Sequence, residues 1–266
     1  HGANTLFHAI NRNKQSYSAN LKDEDDLTKI RALCARADVV IQNFRPGVMK
    51  KLGLDYEQIK AINPRVVYTS ISGYGEEGDW QGLPGQDLLA QARSGLLWLS
   101  GDADDAPTAM GLAVADQLAG NIAVQGILAA LIKSARTGRG AHVQTSLLEA
   151  LVDFQFEVIT THLNDEKKRL PQRSGLNNAH AYLSAPYGVY ETHNGYVAIA
   201  MTPVDKLGEI IGCAALTKFN DEKQWFERRD EIKTILANHL KLQTTNHWME
   251  IFVAHDIWAS EVLDWP

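Results

Sequence analysis

The feature that most constrains the fold is a long run of small and apolar residues within the stretch 111–149. Apolar side chains recur in it at helical spacing, and alanines fill much of the opposite side: Leu118, Ile122, Ile127, Leu128, Leu131 and Ile132, with Ala119, Ala123, Ala129 and Ala130. A helix that is apolar on nearly all sides is expected to be enclosed by the rest of the protein. The glycines at 138 and 140 predict its end.

One acidic residue, Asp116, stands at the start of this helix. It has two interpretations, of which the first is a helix cap, since an Asp side chain accepts hydrogen bonds from free N–H groups there and contributes about 1 kcal/mol. The second is a carboxylate nucleophile placed beside an apolar core. The residue three positions on is Ala119, so the reciprocal capping pattern is incomplete. The residues alone favour the cap but leave both interpretations open.

Strands and helices alternate in the first part of the chain. An acidic helix start at 23–26 precedes the continuous apolar strand 39–41, and a second strand is predicted at 66–70. Strands that are apolar throughout are typical of parallel sheets covered on both faces. We therefore predict a doubly wound, mainly parallel α/β sheet. The turn Asn43–Gly47 follows the first strand, at the carboxyl edge where such sheets bind ligands.

The segment Gly73–Gly78 matches the glycine pattern of dinucleotide-binding loops. That pattern needs a helix opening at its last glycine and an acid about twenty residues further on. Glycines and a proline at 82–85 exclude the helix, and Trp98 stands where the acid should be. We therefore interpret 73–78 as a flexible loop. A helix is expected from Gln86 to Leu97, opened by Asp87, with Leu88 and Leu89 among its inward residues.

A second, smaller α+β domain is predicted from the last third of the chain. Two strands flank the turn Asn194-Gly195, which is a β-hairpin pattern, and amphipathic helices follow at 205–211, 225–240 and 246–255. The predicted boundaries are 1–165 for the large domain, 166–181 for a linker and 182–266 for the small domain.

Composition excludes several classes of protein. The 266 residues are 45% hydrophobic and 22% charged, as in ordinary globular proteins. The longest apolar run is interrupted by Gln125, and we expect it to be too short to span a bilayer. Cys34 and Cys213 show no pairing pattern, which favours the cytoplasm. The closely spaced ligands of a metal site are absent from the sequence. A net charge of +4 over 1–51 and −10 elsewhere suits a small polyanion better than a nucleic acid.

Several motifs stand in one collinear order: FHAINRNKQSYSANLK (7–22), ADVVIQNFRPGVMKKLGL (37–54), NPRVVYTSISGYG (63–75), QDLLAQARSG (86–95) and TGRGAHVQTSLLEAL (137–151). Together with Asp116 and the small-residue helix, they resemble the family III CoA-transferases. This group, also called the CaiB/BaiF family, includes formyl-CoA and carnitine CoA-transferases. The resemblance covers most of the chain and continues more weakly through 185–201.

The resemblance implies an enzyme that moves coenzyme A from an acyl-CoA to a free carboxylic acid, with Asp116 as nucleophile and without a metal. It implies CoA-binding roles for the residues Ala19, Lys22, Asn43, Phe44, Arg45, Lys51, Gln86 and Asp87. It also implies an interlocked homodimer. That neither nucleic acid nor membrane is a partner is a prediction from the charge pattern and from the length of the apolar run. Members of the family carry a βα unit before the first motif and a C-terminal return to the large domain, and the resemblance implies that this chain lacks both.

Two alternatives stay open. The first is an α-methylacyl-CoA racemase on the same scaffold, in which a His and an Asp transfer protons. Here Gln86 stands where such racemases carry the His, which disfavours this alternative. The second is a non-catalytic oligomer that only binds CoA.

Overall fold

The structure, a computed structural model, describes residues 4–167 and 169–265. Its helices are α1 (Thr5–Ile10), α2 (Glu24–Cys34), α3 (Val48–Lys51), α4 (Tyr56–Ile62), α5 (Asp87–Ser94), α6 (Val114–Thr137), α7 (Leu147–Phe154), α8 (Phe156–Asn164), α9 (Val204–Ile210), α10 (Glu222–Glu227), α11 (Arg229–Leu240) and α12 (Thr245–Ala254). Its strands are β1 (Val39–Gln42), β2 (Val67–Ser72), β3 (Ala141–Ser146), β4 (Gly188–Glu191), β5 (Tyr196–Ile199) and β6 (Ala259–Glu261).

The first three strands form a parallel sheet in the order β1-β2-β3. Val67 is aligned with Val39 on one side and with Ala141 on the other. Successive side chains of a strand point to opposite faces, so each face of the sheet has its own core. The predicted α/β class with a parallel sheet is confirmed.

Helices cover both faces of this sheet. On one face, Val67 packs with Ile127 and Ala130 of α6. On the other, Tyr68 packs with Ile59 of α4 and donates its hydroxyl hydrogen bond to the backbone carbonyl of Leu54, 2.8 Å away. Coverage of both faces explains why the strands are rich in β-branched residues.

Helix α6 is buried on one side only. Its buried positions recur every three or four residues: Ala115, Ala119, Ala123, Ile127, Ala130 and Ser134. On the opposite side Val124, Leu128 and Ile132 are 54%, 56% and 57% exposed, so the expected enclosure of this helix is wrong for that side. The sequence pattern shows on which sides of a helix the apolar residues lie, but it does not show whether another part of the protein covers those sides.

The length of α6 also bears on the membrane question. With 24 residues, it is long and apolar enough to cross a bilayer by length and composition alone, so shortness is no argument against a span. The core helix of a globular protein passes the same test. The packing of Ile127 and Ala130 against Val67 favours that second interpretation.

The later strands form an antiparallel sheet in the order β4-β5-β6. The predicted hairpin is present, with Tyr190 aligned with Val197 across the Asn194-Gly195 turn. Helices α9, α11 and α12 supply most of the core that covers this sheet, whose largest fully buried members include Tyr190, Phe219, Ile232, Leu236 and Phe252.

Three buried cations hold the segment 172–181. Arg173 donates to the carbonyls of Ser100, Ala103 and Asp105, Arg229 donates to those of Gln172 and Ala181, and Lys233 donates to Ser174 Oγ and the Asn177 carbonyl. Their hydrogen-bond acceptors are thus carbonyl and hydroxyl oxygens. Burial of a cation is costly unless its N–H groups are hydrogen-bonded, so these bonds fix the segment firmly.

Contacts between residues divide the chain into two compact units. The first comprises the residues up to Leu83 together with Gly120–Ser146, and the second comprises Pro84–Ala119 and the residues from Leu147 onward. The domain boundaries at 165 and 182 stay a prediction. Residues 1–3, 168 and 266, which belong to the predicted spans, lie outside the described residues.

Candidate active site

The start of α6 is capped from a distant part of the chain. Asp87, the first residue of α5, is only 6% exposed, and its Oδ2 accepts hydrogen bonds from the backbone N–H groups of Ala115 at 2.8 Å and Asp116 at 3.1 Å. The capping interpretation of Asp116 is therefore wrong, because Asp87 supplies the acceptor. A local capping pattern cannot detect an acceptor that lies 28 residues away in the chain.

With the cap supplied by Asp87, the Asp116 side chain is exposed in the first turn of α6. Among the residues that the structure describes, no donor bonds to its carboxylate. Partial burial raises the pKa of Asp116, and the neighbouring negative charge of Asp87 raises it further. A carboxylate with a raised pKa and no hydrogen-bond donor keeps its lone pairs available for attack on an electrophile.

The Asp87 carboxylate is itself held by Gln91, one turn further along α5. Gln91 is 2% exposed, and its Nε2 donates to Asp87 Oδ1 at 2.6 Å and to the Leu112 carbonyl at 3.2 Å. Its Oε1 accepts from the backbone N–H of Met110 at 3.2 Å. One side chain therefore ties the loop before α6 to the acid that caps α6.

Sequence reasoning missed Gln91 because it assigned the wrong face of α5 to the interior. Leu88 and Leu89, expected inward, are 50% and 42% exposed, whereas Asp87, Ala90 and Gln91 are buried. The available sequence pattern was the four-residue spacing of an acid and an amide, which places both on one helix face. The prediction instead placed the apolar residues of the helix in the interior and ignored this spacing.

The loop after β1 lies at the carboxyl edge of the parallel sheet, as predicted. Asn43 Nδ2 donates to the carbonyl of Ile71 at 2.7 Å, which joins the ends of β1 and β2. The backbone N–H of Phe44 donates to Gln42 Oε1 at 2.8 Å, and the Phe44 ring is 46% exposed. Asn43 therefore shapes the loop, and Phe44 is free to contact a ligand.

Beside this loop, Arg45 lines a cavity of about 250 Å³ together with Tyr56, Ser70 and His142. Ser70 Oγ and His142 Nε2 share a hydrogen bond of 2.8 Å, and the Tyr56 ring stacks on His142 with centroids 4.8 Å apart and planes 23° apart. Burial lowers the pKa of His142. Sequence reasoning missed this polar group, although alternating polar residues in β2 and β3 indicate it.

The remaining proposed CoA contacts lie mostly at the surface. Ala19 is half-buried, whereas Lys22, Lys51 and Gln86 are exposed. Within the described residues, Lys22, Arg45 and Lys51 form no ion pair with a carboxylate of the chain, which leaves their charges available for phosphate.

The proposed site residues are divided between the two compact units. The residues from Ala19 to Lys51 belong to the first unit, and Gln86, Asp87 and Asp116 belong to the second. The structure brings Asp87 and Asp116 together, and it places Asn43, Phe44 and Arg45 in one loop. Assembly of both groups into one site stays a prediction. As for metals, the described ranges 4–167 and 169–265 contain no cluster of His, Cys, Asp and Glu suited to hold an ion.

Taken separately, the first unit is a parallel α/β sheet with Arg45 in the loop at its carboxyl edge, and the second unit presents an exposed acid at a capped helix start. The sequence identifies the family: the model of CoA-transferase family III matches residues 1–266, so the chain belongs to that family.

Named relatives agree with this assignment. The chain is 32% identical over 265 residues to an acetyl-CoA:oxalate CoA-transferase of Acetobacter aceti, covering 97% of this chain and 67% of that protein. It is 34% identical over 239 residues to a succinate–glutarate CoA-transferase of Agrobacterium fabrum, covering 87% and 58%. The crystal structure of a CaiB/BaiF family protein from Brucella suis superimposes with a TM-score of 0.80 at 32% identity, covering 97% of this chain and 68% of that one. The chain thus spans between about half and two thirds of its relatives' length.

Proposed function

We propose that the protein transfers coenzyme A from an acyl-CoA thioester to a free carboxylic acid, with Asp116 as the covalent nucleophile. The observation that carries the proposal is the pair of acids at the start of α6. Asp87 is buried and fully hydrogen-bonded, whereas Asp116 is exposed and has no donor among the described residues. One acid therefore holds the backbone, and the other is available to react.

In the first half of the proposed reaction, an Asp116 oxygen attacks the thioester carbonyl carbon. The C–S bond breaks, the CoA thiolate leaves, and a mixed anhydride joins Asp116 to the acyl group. The thiolate then attacks the Asp116 carbonyl carbon and releases the donor acid as a carboxylate. The product on the protein is an aspartyl-CoA thioester, which preserves the energy of the original thioester bond.

In the second half, the acceptor carboxylate attacks the aspartyl-CoA carbonyl carbon and expels the CoA thiolate. The thiolate attacks the acyl carbon of the new anhydride, which gives the product acyl-CoA and restores the Asp116 carboxylate. Each step exchanges a carboxylate and a thiolate, so the cycle needs no general base. The raised pKa of Asp116 strengthens the nucleophile once it is ionised.

CoA recognition is assigned to the carboxyl edge of the parallel sheet. Arg45 and Lys51, together with Lys22, are the proposed phosphate contacts, and Phe44 is the proposed apolar contact. Arg45→Ala and Lys51→Ala should each weaken CoA binding, and the loss should shrink as salt rises because exposed charges are screened. Calorimetry checks this, with Lys60→Ala as a control on an exposed lysine that pairs with Glu57. Unchanged affinity in both variants would remove the proposed phosphate site.

The decisive experiment is a covalent trap. The wild-type protein is incubated with acetyl-CoA or succinyl-CoA and an acid such as oxalate or glutarate, the pairs that the relatives' names suggest. Hydroxylamine should then convert an aspartyl intermediate to a hydroxamate that mass spectrometry locates at Asp116. An adduct mapped to Asp87 would contradict the assignment. Tight CoA binding without any transfer would favour the non-catalytic alternative instead.

We also propose that the protein forms a homodimer and is located in the cytoplasm. The exposed apolar side of α6, formed by Val124, Leu128 and Ile132, supports an association that buries it. Light scattering that gives the mass of a single chain at micromolar concentration would contradict the dimer.

A further inference from the structure

We infer that Gln91 is a positioning residue for the Asp116 nucleophile, acting through Asp87 and the backbone at 110–112. The inference rests on the proposed function of Asp116. It concerns a side chain that is buried and whose hydrogen-bond partners are Asp87, Leu112 and Met110.

The hydrogen bonds of Gln91 leave its amide one orientation. Its two N–H groups point to Asp87 Oδ1 and to the Leu112 carbonyl, and its oxygen faces the Met110 N–H. A flipped amide would place its oxygen against the Asp87 carboxylate and its nitrogen against a backbone donor. At 2% exposure, water cannot compensate for such a loss.

Gln91 also fixes the orientation of the Asp87 carboxylate. With Oδ1 held by Gln91, the plane of the carboxylate is set, and Oδ2 is directed at the N–H groups of Ala115 and Asp116. The bonds therefore form a continuous path from the Gln91 amide to the backbone of Asp116. The same amide also bonds to Met110 and Leu112 in the loop that leads into α6. Two connections to the Asp116 backbone, one through Asp87 and one through this loop, therefore depend on Gln91.

This path matters for the reaction because the Asp116 carboxylate has no donor of its own among the described residues. Its position is set by the backbone alone, and Asp87 is the side chain that bonds to that backbone. Covalent attack requires reacting atoms about 3–3.5 Å apart, and a displacement of about 1 Å can cost about 100-fold in rate. Loss of Gln91 should therefore slow attack while leaving acyl-CoA binding largely intact.

The experiment compares Gln91→Met with the matched control Gln155→Met in the full chain. Gln155 is also buried in the second unit, at 6% exposure, and its Nε2 donates to the carbonyls of Leu151 and Ser94. Each protein is mixed with acyl-CoA under single-turnover conditions, and the rate at which the Asp116 adduct forms is measured. The KM for acyl-CoA and the free energy of unfolding are measured separately.

We expect both variants to lose stability, but only Gln91→Met to form the adduct about 10- to 100-fold more slowly, with KM changed less than about threefold. Gln91→Glu, which keeps the shape and the acceptor for Met110 and loses a donor, should also slow the adduct. A wild-type rate in either folded Gln91 variant, or an equal slowing in Gln155→Met, would overturn this inference and leave the proposed function of Asp116 intact. Absence of the adduct in the wild type would overturn the proposed function and, with it, the inference.

Discussion

Two buried polar networks in the second unit satisfy charge in opposite ways. At the start of α6, the anion Asp87 accepts two backbone N–H groups and the Gln91 amide. Around 172–181, the cations Arg173, Arg229 and Lys233 donate to carbonyl and hydroxyl oxygens. Both networks fix irregular backbone by bonding it to charged side chains.

The two networks differ in what they leave unsatisfied. The bonds of the cation network end in carbonyl and hydroxyl oxygens of the segments 100–105 and 172–181. The network at α6 ends beside Asp116, whose exposed carboxylate has no donor among the described residues and whose pKa is raised. We propose that the first network serves architecture, whereas the second keeps Asp116 available to react. Substitutions in the two should therefore separate stability from activity.

The largest expected effect is on activity. Asp116→Asn should lower CoA transfer by about 10⁴-fold or more, the scale seen when a nucleophile is removed. Its free energy of unfolding should change by less than about 1 kcal/mol, because the side chain caps nothing. Initial rates and urea unfolding measure both quantities. Asp116→Ala should behave in the same way, and a large loss of stability in either variant would contradict the assignment of the cap to Asp87.

A substitution in the cation network should show the reverse pattern. Lys233→Ala removes a fully buried side chain and leaves Ser174 Oγ and the Asn177 carbonyl without their donor. The expected loss of stability is about 2–5 kcal/mol. Transfer per folded molecule should stay at the wild-type level. An activity loss beyond the folded fraction would show that the two networks are not separate.

Asp87→Asn should affect both quantities moderately. Asn can still accept from the Ala115 and Asp116 N–H groups with its one oxygen, but its Nδ2 then faces the Gln91 Nε2 donor, so the cost in stability should be about 1–3 kcal/mol. Removal of the negative charge should lower the pKa of Asp116, since that charge raises it. The acid limb of the kcat/KM profile should move to lower pH. Asp153→Asn, a change of an exposed acid on α7, serves as the control.

A further expected effect is a pH dependence of stability. Burial lowers the pKa of Lys233 to about 8, from an ordinary value of 10.5. Between these values the unfolded chain binds the proton more tightly, so the free energy of unfolding should rise with pH from about 8 towards 10.5. The penalty for the buried charge is fully present below pH 8. Lys233→Met lacks the group, so the difference in Tm between it and wild type should shift in favour of wild type as pH rises.

The regular elements could be predicted because their patterns are local. The apolar run at β1 and the Asn194-Gly195 turn each determine a strand or hairpin within a few residues. The role of Asp87 could not be predicted in this way, because its partners lie 28 and 29 positions away. The exposure of Leu88 and Leu128 was missed for a related reason: a sequence pattern shows that a face is apolar, but not what covers it.

The stacking of Tyr56 on His142 has a spectroscopic consequence. An aromatic ring 4.8 Å away and nearly parallel shields the imidazole protons through its ring current, so their NMR resonances should lie upfield of those of solvent-exposed histidines. Because His142 lines the same cavity as Arg45, a ligand that moves Tyr56 would shift those resonances. A single histidine thus offers an intrinsic, label-free probe of the sheet edge at which CoA is proposed to bind.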